Sequence, residues 1–94
     1  MAGNKLGIDD VNAAENDAKT IKQQADQLHT LVQTLNKTIT SLHSIWHGPD
    51  SNQFHDTTWP NSKTALQNAH NDLVQLHSTL TKNITAQKST SSTL

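Results

Sequence analysis

Histidine side chains are the most chemically versatile groups in this 94-residue chain, and four of its six lie within the two long predicted helices, each directly after a predicted core position. These four are His29, His43, His70 and His77. A metal site needs three or four ligands around one ion, and His43 and His47 have the spacing of a His-x-x-x-His pair. With no cysteine and no nearby glutamate to complete a set, we expect histidines at the solvent boundary and no metal site. A response to pH between 5 and 8 is an alternative role for them.

The carboxylates are scattered, and none forms a pair that suggests acid–base chemistry. They are expected to lie at helix caps and on solvated helix faces: Asp9, Asp10, Asp50, Asp56 and Asp72. The sequence therefore predicts no catalytic residues, no cofactor and no enzyme.

Composition limits what the chain can bury by itself. Hydrophobic residues make up 32%, the mean hydropathy is -0.68 and cysteine is absent, so a small domain of this kind needs a partner rather than a disulfide. A net charge of -1 with no basic cluster argues against nucleic acid as a ligand. The N-terminal stretch has no apolar run, so we expect no cleavable signal peptide and no membrane span.

Apolar residues of the first half recur at alternating steps of three and four, which predicts a long helix from about Asp10 to about Trp46. Asp9 and Asp10 suit its N-cap and first turn. One heptad position holds Ala18, Ala25, Val32, Ile39 and Trp46, and the other holds Ile21, Leu28, Leu35 and Leu42.

A chain reversal is predicted at residues 47–50, where Gly48 can close one helix and Pro49 can open the next, followed by Asp50. Pro60 predicts a kink, or a short helix that ends near Thr58 before a longer one. The second apolar row comprises Trp59, Ser62, Leu66, Ala69, Leu73, Leu76 and Leu80, with Ile84 one residue late.

These elements predict an all-α fold, a helix-turn-helix antiparallel hairpin over residues 8–87. Residues 1–7 are expected to be flexible and residues 88–94 to be a disordered tail. Leu31, Ile45, Phe54 and Val74 widen the apolar stripe beyond one helix–helix contact, so we expect the hairpin to dimerise into a four-helix bundle. The predicted core and dimer residues are Val32, Leu35, Ile39, Leu42, Phe54, Trp59, Leu66, Leu73, Leu76 and Leu80.

The stretch WHGPDSNQFHDTTW, residues 46–59, resembles the WXG superfamily of small type VII (Esx-type) secretion proteins of Gram-positive bacteria. Trp46 and Gly48 match the family's turn motif, and Phe54 and Trp59 match the aromatic positions that follow it in actinobacterial members. The resemblance implies a folded dimer, with itself or a paralogue, made in the cytoplasm and secreted by an ATPase-driven machine. It also implies that Trp46, Gly48 and Phe54 contribute to a surface for that ATPase. From the residues themselves, Trp46 is expected to pack over the end of the apolar stripe.

One departure from the family concerns the export signal, commonly Tyr-x-x-x-Asp/Glu near the end of the second helix. This chain has no tyrosine, and neither His70 nor His77 is followed four residues later by an acid. The signal is therefore expected on a partner, which keeps a second hypothesis open: a non-catalytic adaptor for a larger effector. A structural coiled-coil module unrelated to secretion is the third.

Overall fold

The computed structural model describes residues 7–93, and side chains as far as residue 89. Helix α1 spans Val11–Ile45, α2 spans Pro49–Gln53, a π-helical turn spans Phe54–Thr58 and α3 spans Trp59–Thr93. The two long helices pack side by side as a rod of 68 × 17 × 14 Å. Residues 7–93 contain no strand, so the predicted all-α helical hairpin is confirmed. The four-helix bundle stays a prediction.

Both ends of α1 form where the sequence places them. The Asp10 side chain accepts a hydrogen bond from the Ala13 amide at 3.0 Å, which satisfies one of the free donors of the first turn. At the other end Trp46 leaves the helix with extended dihedrals, while its amide donates to the Leu42 carbonyl at 2.8 Å.

The reversal is tighter than the predicted 47–50. Gly48 has φ 116° and ψ 176°, a conformation that only glycine adopts readily, and it directly precedes α2. Pro49 is already the first helical residue, and Asp50 lies in the same first turn. Pro49 and Asp50 are therefore helical rather than part of the loop, because proline's fixed φ suits that first position.

Pro60 is accommodated without a break in the helix. In an α-helix its ring would crowd the carbonyl of Asp56, four residues earlier. The chain instead passes through the π-helical turn, in which the Trp59 amide donates to the Phe54 carbonyl five residues back. The interruption predicted near Thr58 is thus a wider turn within a continuous helical arm.

The core between the arms is thin. Within the described side chains the buried apolar residues are Ala18, Ala25, Val32, Trp59 and Ile84. Two alanines on α1 let the backbones approach closely, since a methyl group occupies little of the gap. Stability therefore depends on few contacts, as the composition indicates.

The face that α3 turns toward α1 differs from the predicted one. The predicted face and the observed face both include Trp59, Leu66, Leu73 and Leu80. The remaining inward positions are Lys63, His70, His77 and Ile84, whereas Ser62, Ala69 and Leu76 are exposed. Ile84, predicted to be out of step, is buried. Helix α3 is thus rotated about its own axis relative to the predicted packing. In this orientation the Trp59 indole donates a hydrogen bond to Asn36, whereas Leu76 is left exposed.

Helix α3 continues to Thr93, beyond the expected end near Gln87. Two contacts hold this region to the start of α1: the Gln87 side-chain amide donates to the Ile8 carbonyl at 2.9 Å, and Lys88 pairs with Glu15 at 2.6 Å. Residue 88 is therefore part of the folded rod, contrary to the expected tail. Flexibility was predicted for residues 1–7, and of these residues 1–6 lie outside the described range.

Candidate interaction site

One long side of the hairpin carries exposed leucines. We define the apolar face as Leu28, Leu31, Leu35 and Leu42 of α1 with Ala69 and Leu76 of α3. Leu31 and Leu76 are each 50% exposed and Leu42 is 41% exposed. Leu28 and Leu35 are half-buried at the edge of the helix contact. The hairpin thus hides only part of its own apolar stripe.

The opposite side carries a row of polar groups at seven-residue steps along α1. Successive residues of an α-helix lie about 100° apart, so this row runs along the other side of the helix contact from Leu28, Leu35 and Leu42. We define the polar flank as this row and its contacts on the returning arm. The row comprises Glu15, Lys22, His29, Asn36 and His43.

Four members of the row reach across to the other arm. The row begins with the pairing of Glu15 with Lys88. The His29 and His70 rings lie 5.3 Å apart between centroids, and the His43 and His55 rings stack at 4.0 Å. Asn36 accepts two hydrogen bonds, from the Trp59 indole at 3.1 Å and from the Lys63 ammonium at 3.2 Å. Lys22 is the exception, because it pairs with Asp26 on its own helix.

Asn36 is the residue that sequence reasoning missed. Its side-chain oxygen satisfies the indole N–H of Trp59, which is only 7% exposed. A buried donor of this kind requires a partner. The signal for it was present, because Asn36 lies midway between His29 and His43 at steps of seven.

The turn end does not bury its tryptophan. Trp46 is 41% exposed, and Ile45 and Phe54 beside the turn are also exposed. The expectation that Trp46 packs over the end of the apolar stripe is therefore met only in part, because the chain leaves the helix at Trp46. The tryptophan that closes the core is Trp59. Ser51 is buried in this end, and its hydroxyl has no hydrogen-bond partner in the described part of the chain.

The predicted core and dimer residues divide into three groups. Val32 and Trp59 are buried in the hairpin. Five are half-buried, namely Leu35, Ile39, Leu66, Leu73 and Leu80. Leu42, Phe54 and Leu76 are exposed. Only the first group is fully covered by the hairpin, the second is covered in part, and the third keeps much of its surface exposed.

The histidines are closer to one another than the sequence suggests. His29 and His70 face an open groove of about 550 Å³, whose lining includes Gln33, Asn36, Lys63 and Asn71. Among residues 7–93, no group of three or more histidine or carboxylate side chains is arranged to hold a metal ion. Each ring of the His43–His55 pair also has a polar contact: the Asn52 oxygen lies 3.2 Å from the His43 Nε2, and an Asp56 oxygen lies 2.8 Å from the His55 Nδ1.

Within the described residues, no helix is long and apolar enough to cross a membrane. The chain matches no family model, no curated protein and no solved structure. The interpretation of residues 46–59 as a WXG-type turn thus depends on the sequence pattern and on the hairpin that surrounds it.

Proposed function

We propose that this chain pairs through its apolar face with a second helical hairpin, forming a four-helix bundle. We further propose that the bundle is a small substrate of a type VII secretion system. The observation that carries the pairing is the row of exposed leucines on one side of the rod, with Leu31 and Leu76 each 50% exposed. Side chains of this kind on a soluble chain mark an interaction surface.

The total surface is consistent with this pairing. The chain exposes 6663 Å², whereas a compact monomer of its mass exposes about 5,400 Å². A stable interface of standard size covers about 800 Å² on each partner. Two such hairpins laid face to face would cover the leucines of both.

The proposed export function is supported by residues at the turn. Trp46 and Gly48 match the WXG motif, and the structure places them at the reversal between two long helices. Trp46 and Phe54 are both exposed there, which leaves them accessible to a partner such as the secretion ATPase. The lack of tyrosine favours a second candidate, in which the chain is an adaptor that pairs with a larger effector carrying the export signal.

Sedimentation of the purified full-length chain tests the pairing. We expect a dimer for the secreted homodimer, and a monomer that pairs only with a neighbour-encoded protein for the adaptor. Replacing Leu31 and Leu76 by glutamate should abolish either form of pairing, because two charges would be buried in the interface. Val74→Glu is the matched control, since Val74 is 45% exposed but lies one helical turn from His70, on the polar side. A well-folded solitary hairpin at all concentrations, with and without neighbour-encoded proteins, would refute pairing.

Export is tested in the producing bacterium. We expect the chain in the culture medium of the parent strain, and its retention in cells when the type VII ATPase gene is deleted. Trp46→Ala should reduce export while leaving the helical spectrum unchanged, because this side chain is largely outside the core. Unchanged export and partner binding after substitution of both Trp46 and Gly48 would favour a structural module unrelated to secretion.

A further inference from the structure

We propose that His29 and His70 form a binding site for one divalent transition-metal ion of the Cu²⁺, Ni²⁺ and Zn²⁺ class, which joins the two arms of the hairpin. The two residues are 41 positions apart in the chain, and the fold brings their rings to a centroid separation of 5.3 Å. They lie on the polar flank, so the site does not depend on pairing through the apolar face.

The ring geometry suits a shared ion. With a metal–nitrogen bond of about 2.0–2.1 Å, a ring centroid lies roughly 3.2 Å from the ion. Two imidazoles at angles between square-planar and tetrahedral then have centroids roughly 4.5–5.2 Å apart. The observed centroid separation of 5.3 Å, with the ring planes tilted by 40°, is close to this range.

The second histidine pair does not have this geometry. His43 and His55 stack at 4.0 Å with their planes only 20° apart. A ring nitrogen directs its lone pair within the plane of its own ring, and two nearly parallel planes at this separation do not meet at one ion. The comparison selects the His29–His70 pair and provides a control within the same molecule.

Each ring of the proposed site already has one nitrogen engaged by an amide of its own helix. The His29 Nε2 lies 3.2 Å from the Gln33 side-chain nitrogen, and the His70 Nδ1 lies 3.4 Å from the Asn71 Oδ1. The amide group of Gln33 can rotate to present oxygen instead. Such amides orient metal-bound imidazoles through the nitrogen that does not bind the ion. The other two nitrogens, His29 Nδ1 and His70 Nε2, make no hydrogen bond within the described residues and remain for the ion.

The surroundings determine which ion binds and how tightly. Two imidazoles without thiolate or carboxylate favour Cu²⁺ over Ni²⁺ and Zn²⁺, and water from the open groove completes the coordination. Lys63 lines the same groove, and its positive charge opposes a dication. Its ammonium is held on Asn36 at 3.2 Å, so this repulsion is a fixed property of the site.

Titration of the full-length chain with CuCl₂ at pH 7.5, followed by visible absorption and by the thermal midpoint, tests the site. We expect saturation at one ion per chain and a higher midpoint, because the ion bridges two arms that separate on unfolding. His29→Asn and His70→Asn should each weaken binding at least about tenfold, the smallest loss typical even of supporting residues. MgCl₂ should produce no shift, since imidazole is a poor ligand for that ion.

Two further variants separate this site from surface histidines in general. Lys63→Met should tighten copper binding severalfold, which a purely structural role of the histidines would not produce. His43→Asn should leave the affinity unchanged. Circular dichroism of each variant establishes that the hairpin is folded. If a histidine variant unfolds, the copper affinity of the Lys63→Met variant tests the proposal in its place. Binding that survives the His29 and His70 substitutions, or that falls equally with His43→Asn, would show adventitious histidine binding only and overturn the proposal.

Discussion

Replacing Asn36 by alanine should destabilise the hairpin because it removes the acceptor of a buried donor. The Trp59 indole N–H donates to the Asn36 Oδ1 at 3.1 Å, and Trp59 is only 7% exposed. A buried donor left without a partner costs about 1–3 kcal/mol. The second bond, from Lys63, contributes less, because Lys63 lines the open groove, where water can replace the lost contact.

The expected loss is about 2 kcal/mol in the free energy of unfolding, which corresponds to a midpoint about 10 °C lower for a domain of this size. Thermal unfolding followed by circular dichroism measures it. Protein concentration must be held constant, because pairing through the apolar face would stabilise the folded state by mass action. Asn36→Asp keeps an oxygen acceptor in place and serves as the matched control, with a much smaller expected change.

A double-mutant cycle isolates the hydrogen bond itself. Trp59→Phe keeps an aromatic ring in the core but removes the N–H donor, so Asn36→Ala should cost about 1 kcal/mol less in that background. Strict additivity of the two substitutions, or a midpoint within about 2 °C of the parent for Asn36→Ala alone, would refute the assignment of Asn36 as the group that satisfies Trp59.

Two further outcomes are expected. Ala25 is fully buried between the arms, so Ala25→Leu should lower the free energy of unfolding by about 1–3 kcal/mol through overpacking. Ala13→Leu, on the exposed face of α1, should leave thermal unfolding nearly unchanged. Equal effects of the two substitutions would contradict the close approach of the two helices at Ala25. Gly48→Ala should cost about 1–3 kcal/mol through its positive φ alone, since nothing lies within 4 Å of an added Cβ, and a synthetic chain with D-alanine at 48 should recover the loss.

Local signals in the sequence were sufficient for the two long helices and for both ends of α1. The Asp10 cap, the three-four periodicity of α1 and the Gly48–Pro49 pair act over a few residues, so their effect does not depend on the rest of the fold. The same locality explains why the interruption before Pro60 was predicted but its π-helical form was not. A proline requires some adjustment of the preceding turn, and the packing of the arm selects which one.

Tertiary packing determines which face of α3 lies against α1. Leu76 and His77 are adjacent, and hydrophobicity alone places Leu76 inward, yet the folded rod leaves Leu76 exposed and turns His77 toward α1. Burying Trp59 and Ile84 while giving the indole a partner in Asn36 outweighs the covering of one leucine. This balance depends on contacts between residues more than twenty positions apart in the chain. A local sequence pattern therefore cannot predict it.

The sequence by itself therefore determined that two amphipathic helices fold back at Gly48, because helix periodicity and caps are encoded within each segment. Only the tertiary structure decided that one side of the rod is apolar and the other polar, with His29 beside His70 and Asn36 beside Trp59. The physical reason is that such contacts depend on the relative rotation of two helices, and this rotation minimises the free energy of the whole interface rather than of either helix.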